Sequence, residues 1–304
     1  MKNSRLNFRL RVIIVLSLCV VFDTLMEPHI GSKPCAVQKK SESLNSICEI
    51  SLPDNDRHGS DGQTNKQTDR RNEMKFYEAK VKEIKKETSD TYSFIMDIPE
   101  GFTWKAGQHV LWKLKDYSVA EGDKDARVFT IASAPEDGFL MFTTRITELH
   151  SSFKDILLNK LEPGDTMLVA TPLGNFTLDA EDYPKTLIIA GGIGITPIRS
   201  LLRSYMEHPV SGHQITVLYS DDRGEYAYEE FWKQLKAAVP DIELNFLTER
   251  EKFTCMTDSF AGANGNDAEY LVAGSPGMNT AFTERLQGLG VEAGNVKTDI
   301  FMGY

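Results

Sequence analysis

The sequence predicts a small antiparallel β-barrel followed by a parallel-sheet α/β domain, and three observations carry that prediction. Between Phe76 and Phe176 short runs alternate apolar and polar residues between turn signals, the pattern of an antiparallel barrel. From about Asp182 the pattern becomes apolar strand, glycine turn and helix, which implies a parallel sheet covered by helices. The two glycine turns, Gly191–Pro197 and Gly274–Met278, each follow a buried strand, at the strand ends where α/β sheets bind ligands. The expected units are a leader over residues 1–73, the barrel over 74–181 and the α/β domain over 182–304.

In the leader, Lys2, Arg5, Arg9 and Arg11 precede an apolar run from Val12 to Phe22, a pattern that resembles a signal peptide or short anchor. The run falls short of the ~20 apolar residues of a membrane span. From Gly31 to Glu73 the chain is polar, poor in aromatics and aperiodic, the composition of a disordered segment. A second reading makes Met74 the true start, because the strand pattern begins just after it. Arg70-Arg71 can be encoded by AGGAGG, a bacterial ribosome-binding sequence, at a normal distance before that methionine. The expected location is cytoplasmic on the second reading, and membrane-anchored or exported through residues 1–26 on the first.

Charge and cysteine content narrow the function. The first 73 residues carry 11 Lys/Arg against 9 Asp/Glu, leaving 23 against 35 for the rest, a net of −12. A body so acidic repels phosphate backbones and anionic membranes, so nucleic acid is excluded as a partner. Of the four cysteines only Cys255 follows Met74, and none lie at metal-ligand spacing, so no iron–sulfur cluster is expected.

Along the barrel, strand alternation starts at Phe76, and turns are marked by Pro99-Glu100-Gly101, Pro135-Glu136-Asp137-Gly138 and Pro163-Gly164-Asp165. Within it, Arg127-Val128-Phe129-Thr130-Ile131-Ala132-Ser133 carries chemistry. A guanidinium that forks onto phosphate, an aromatic two residues on and a hydroxyl beside it suit a flavin. On a strand Arg127 and Phe129 share a face that Thr130 does not, so this reading requires the strand to bend or end there. Further on, Ser151 and Ser152 open an apolar helical run to Leu161, where their hydroxyls either bind a pyrophosphate or cap the helix. His150 is a loop residue without a catalytic role.

In the second half Thr186–Ala190 is a buried strand. Its turn, with Gly191, Gly192, Gly194, Thr196 and Pro197, leads into a helix whose first turn suits the proline. Glycines there let a backbone approach a pyrophosphate at a helix N-terminus. Ile215–Tyr219 and Ile242–Leu247 are strands, Tyr226–Ala238 a helix, and Tyr270–Ala273 a strand that runs into Gly274-Ser275-Pro276-Gly277-Met278.

With these motifs in this order, the chain from Met74 to Tyr304 resembles the ferredoxin–NADP reductase superfamily. The resemblance implies FAD and NADH or NADPH as cofactors. It implies that Arg127 holds the FAD phosphate, that Phe129 contacts the flavin and that Thr130 approaches its reactive nitrogen, with Ser133 closing the motif. The Gly191–Pro197 turn resembles the family's nucleotide-phosphate loop, and Gly274, Pro276 and Met278 its loop beside the nicotinamide. Tyr304 resembles a terminal aromatic that covers the flavin. Where many relatives carry Cys-Gly this chain has Ala273-Gly274, so hydride transfer rests on stacking geometry. Ser220-Asp221-Asp222-Arg223 leaves coenzyme choice open, since acids favour a free ribose hydroxyl and Arg223 a 2′-phosphate; the reading leans to NADH. The implied function is a flavin-dependent oxidoreductase passing electrons from NAD(P)H through FAD to an unidentified acceptor, protein or small molecule. A reductase component of a larger oxygenase or respiratory complex, and a non-enzymatic flavin redox sensor, are the alternatives.

Overall fold

The computed structural model describes residues 75–301. The leader, Met74 as a start and the Tyr304 lid lie outside the described residues.

The first sheet has six antiparallel strands, β1 (Phe76–Lys86), β2 (Thr91–Met96), β3 (His109–Leu114), β4 (Ala126–Thr130), β5 (Leu140–Arg145) and β6 (Thr166–Ala170), in the order β4-β3-β6-β1-β2-β5. Its two edges meet: Phe129 of β4 stacks on Phe142 of β5 at 5.0 Å between ring centres and 8° between planes, which curls the sheet into a barrel. Phe142 in turn stacks on Phe94 at 4.8 Å and meets Trp112 at 4.6 Å, so aromatics fill the interior. Helix α1 (Ser152–Asn159) plugs one end with buried Phe153, Ile156 and Leu157.

The second sheet is parallel, β7 (Lys185–Gly191), β8 (Gln214–Ser220), β9 (Glu243–Leu247), β10 (Ala268–Gly274) and β11 (Val296–Ile300), in the order β11-β10-β7-β8-β9. Leu187 and Ile189 pack into one core and Ile188 and Ala190 into another, because a strand covered on both faces buries both sets of side chains. Helices α2 (Ile195–Glu207) and α3 (Glu229–Ala238) cover the second of these faces, and α4 (Arg250–Asn264) and α5 (Pro276–Gly288) the first.

Three elements differ from the periodicity. Helix α3 starts at Glu229 rather than Tyr226, because Tyr228 sits in the left-handed region at φ 67 and breaks the chain's path just before it. Helix α4 has no clear sequence signal: its apolar face is interrupted by Thr254, Thr257 and Ser259, weak helix formers that back-bond to carbonyls four residues earlier. Strand β11, Val-Lys-Thr-Asp-Ile, is a short edge strand without an apolar run.

The barrel and the parallel sheet are bolted together through α2. Arg199 pairs with Asp137 in the turn before β5, Arg203 donates to the same carboxylate at 3.1 Å, and Ser200 donates to the Ser133 carbonyl at 2.8 Å. These contacts fix the gap in which the candidate site lies.

Candidate functional site

Strand β4 ends at Thr130, and Phe129 and Thr130 both line one cavity of about 280 Å³. The barrel also contributes Thr144, Arg145 and Lys154; the α/β side contributes Thr196 and Asp299. Thr130 is buried, and both it and Asp299 line this cavity. The Asp299 carboxyl oxygen Oδ2 is buried without a hydrogen-bond partner among the described residues. Burial raises the pKa of Asp299 above the ordinary carboxylate value, although the neighbouring His109 and Thr130 act the other way.

Beside the cavity a set of donors converges. Arg127 lies over the Phe153 ring, at 5.1 Å from its centre, and its guanidinium donates to the Lys124 and Ala126 carbonyls and pairs with Asp123. Ser151 is the N-cap of α1, accepting from the Lys154 N–H at 3.3 Å. Ser152 occupies the first helical position and donates to Asp123 Oδ2 at 2.7 Å. The half-buried Lys154 ammonium donates to the Arg145 carbonyl at 2.7 Å; it has no carboxylate partner among the described residues. Burial and the nearby Arg127 charge both lower its pKa.

A second, wider pocket of about 660 Å³ opens at the carboxyl ends of β7, β8 and β10. Gly191 and Gly192 line it, with Asp221, Asp222 and Arg223 after β8, and Ser275 and Met278 at the start of α5. The glycines have a reason beyond ligand approach. A Cβ on Gly194 would fall inside the Ala273 carbonyl, and one on Gly191 or Gly274 would strike the Met278 thioether. The two loops therefore lock against each other through glycine backbone and a polarizable methionine. Ser275 caps α5, accepting from the Met278 N–H at 3.3 Å, and Pro276 starts that helix.

Arg145 borders both cavities. Its Nε donates to Asp90 Oδ2 at 2.9 Å, and the same oxygen accepts from Arg223 Nη1 at 2.7 Å. Hydrogen bonds from Arg223 and Arg145 hold Asp90 below its usual pKa against the opposing effect of burial.

Of the residues singled out from sequence, Phe129, Thr130 and Thr196 line the first cavity, Gly191, Gly192 and Met278 the second, and Arg127 and Ser152 converge between β4 and α1. Ser133 is not at either cavity: it is fully buried, and its hydroxyl accepts from the Met141 N–H at 2.9 Å. Pro197 is buried in the first turn of α2, and Ser151 is engaged as a cap. Lys154, Asp299, Asp123 and Arg145 have no role in the sequence reading. Lys154 carries a signal, three residues past the N-cap on the helix turn that faces Arg127. Asp299 carries none, because only the fold brings β11 against the end of β4.

Residues 188–284 match the family model described as oxidoreductase NAD-binding domain. The chain is 26% identical over 233 residues to one component of the Na(+)-translocating NADH-quinone reductase of Yersinia enterocolitica, covering 68% of this chain and 56% of that protein. It is 26% identical over 230 residues to the same component of the Neisseria meningitidis reductase, with 68% and 56% covered. The chain spans about half the length of the curated relatives it matches. Among solved structures, the ferredoxin NADP+ reductase of Neisseria gonorrhoeae with bound FAD and NADP superposes with a TM-score of 0.59 at 18% identity, covering 75% of this chain and 99% of that one. The FAD/NAD-binding domain of nitric oxide dioxygenase from Vibrio cholerae superposes with a TM-score of 0.57 at 18% identity, covering 74% and 98%.

Proposed function

We propose that this chain, a member of the ferredoxin–NADP reductase superfamily, is an NADH-dependent flavin oxidoreductase that carries electrons from the nicotinamide through FAD to a separate acceptor. The observation that carries the reading is the pair of adjoining cavities, one bordered by Phe129 and Thr130 and the other by the two glycine loops, with Arg145 common to both.

The residues fit a flavin on their own chemistry. Arg127 and Lys154 place two cations beside a single carboxylate, an imbalance that a diphosphate corrects. Oδ2 of Asp299, buried and without a partner among the described residues, is an unsatisfied polar atom at the cavity. When bound, FAD supplies the ring that accepts hydride and releases electrons singly or in pairs. Arg127, Ser152 and Lys154 would hold its phosphates, Phe129 would pack against its ring, and the Thr130 hydroxyl would be available to its polar edge. Burial raises the Asp299 pKa above the ordinary carboxylate value.

NADH is favoured over NADPH because Arg223, the cation beside the expected ribose position, is already bound to Asp90 and faces Asp221 at 3.5 Å and Glu225 at 3.9 Å. A second reading, a reductase component of a larger assembly, is supported by the relatives named as parts of an NADH-quinone reductase. The barrel and nucleotide domains are assigned to residues 74–181 and 182–304.

The full-length chain is expected to drive NADH-dependent reduction of ferricyanide only after FAD is added, and Arg127→Ala to lose FAD on gel filtration. Full retention of FAD by that variant sinks the Arg127 assignment.

A further inference from the structure

The phosphate donors already hold an anion, and it belongs to the chain. Arg127 Nη2 donates to Asp123 Oδ1; the Ser152 hydroxyl donates to Oδ2 at 2.7 Å, and the Phe153 N–H in the first turn of α1 donates to Oδ2 at 3.2 Å. The Lys124 N–H donates to Oδ1 at 2.8 Å. A guanidinium, a hydroxyl and a helix-terminal amide are the groups that bind phosphate oxygens, and here both oxygens of a carboxylate take their place. We infer that Asp123 is an internal phosphate mimic, occupying the diphosphate cradle of the cofactor-free protein and yielding it when flavin binds. The affinity for flavin is then set by competition between the chain's own carboxylate and the incoming phosphate. The inference rests on the flavin reading above.

Charge argues for displacement rather than coexistence. Lys154, half-buried and near Arg127, has no carboxylate partner among the described residues, so Asp123 neutralises only one of the two cations. A diphosphate satisfies both, whereas a carboxylate left on Arg127 adds a repelling negative charge at the same donors. Hydrogen bonds from Ser152 and Arg127 depress the Asp123 pKa, so the carboxylate is ionised and competes throughout the neutral range.

The segment that carries Asp123 can let go. It lies in the connection between β3 and β4, next to exposed Gly122 at φ 82, a conformation that glycine adopts without strain. Asp123 also borders an open surface depression with Tyr117, Ser118 and Val119, which gives its side chain room to turn away. The loop is tied to the helix by the same serine: the Ala120 N–H donates to Ser152 Oγ at 2.9 Å. Ser152 therefore senses both the loop and the ligand.

The test compares the cofactor-free full-length chain with Asp123→Asn, with Asp123→Ser as the second variant should the first fold poorly. Flavin-fluorescence quenching reads FAD affinity, and thermal unfolding with and without inorganic pyrophosphate reads the cradle itself. A latch predicts opposite signs: the variant melts at lower temperature without ligand, yet binds FAD about tenfold more tightly and gains more from pyrophosphate than the parent does. A variant that binds FAD equally or more weakly overturns the proposal. If neither protein binds FAD, the flavin reading fails and pyrophosphate decides the latch: a larger stabilisation of the variant supports it, and an equal or smaller one overturns it.

Discussion

The carboxylate of Asp90, at the turn between β1 and β2, accepts a hydrogen bond at 2.7 Å from Arg223, which follows β8 in the other sheet. Arg223 also faces Asp221 and Glu225, and Asp90 also holds Arg145. A guanidinium so engaged has few donors left for a 2′-phosphate. Asp90→Ala frees it, and the ratio of kcat/KM for NADPH to that for NADH is expected to rise about tenfold, the order of one charge-assisted hydrogen bond. Steady-state kinetics with both coenzymes measures it. An unchanged ratio would remove Arg223 as the determinant.

The contact of Gly194 with the Ala273 carbonyl makes a second prediction. A methyl group there meets backbone on a neighbouring strand end, which cannot turn aside as a side chain can. Gly194→Ala is expected to cost ~1–3 kcal/mol by overpacking and to weaken nicotinamide-nucleotide binding as the loops part. Urea unfolding and coenzyme titration check the two effects, and full parental stability would contradict the packing role.

Asp137 receives Arg199 and Arg203 at the junction of barrel and α2, and its carboxylate and the Arg199 guanidinium are both almost entirely buried. Asp137→Ala leaves the buried Arg199 without its carboxylate, while Arg203 keeps Glu207, a loss expected to cost ~3–5 kcal/mol. Denaturant unfolding should show it as a lower midpoint. A change below about 1 kcal/mol, the scale of an exposed ion pair, would mean that the junction is held elsewhere.

Asp299 ties stability to pH. Its folded pKa is raised, so its favourable contribution is complete below the unfolded carboxylate pKa of ~3.9 and is lost as pH rises through the folded value. The neutral isostere Asp299→Asn removes that loss. The variant is expected to be more stable than the parent at neutral pH, with the difference shrinking on acidification. A constant difference between acid and neutral pH would show that Asp299 does not carry the linkage.

Much of the molecule was legible in the residues themselves. Alternation before Phe176 and buried runs after Asp182 give the two sheets, because the strand period and the covering of each face are local properties. Arg127, Phe129 and Thr130 sit within four positions on one strand, so the shared wall of Phe129 and Thr130, and Arg127 beside α1, follow from that strand and its end. Lys154, Asp299 and Asp90 were not legible, since each acts on a residue far away in sequence: Lys154 on Arg127, Asp299 on Thr130, Asp90 on Arg223. Ser133 differs for the opposite reason. A serine at the end of a motif looks available, yet the turn after it buries the hydroxyl against the Met141 N–H. Glycines at 191, 194 and 274 suggest room for a ligand, whereas part of their role is to let two loops meet.

The measurement that bears most directly on the proposed function is an anaerobic absorbance titration of the full-length chain loaded with FAD, first with NADH and then, on a fresh sample, with NADPH. The account predicts rapid bleaching of the bound flavin by NADH and markedly slower bleaching by NADPH. Flavin that stays bound and is reduced by neither coenzyme would contradict it, and would leave a flavin-binding protein without reductase activity.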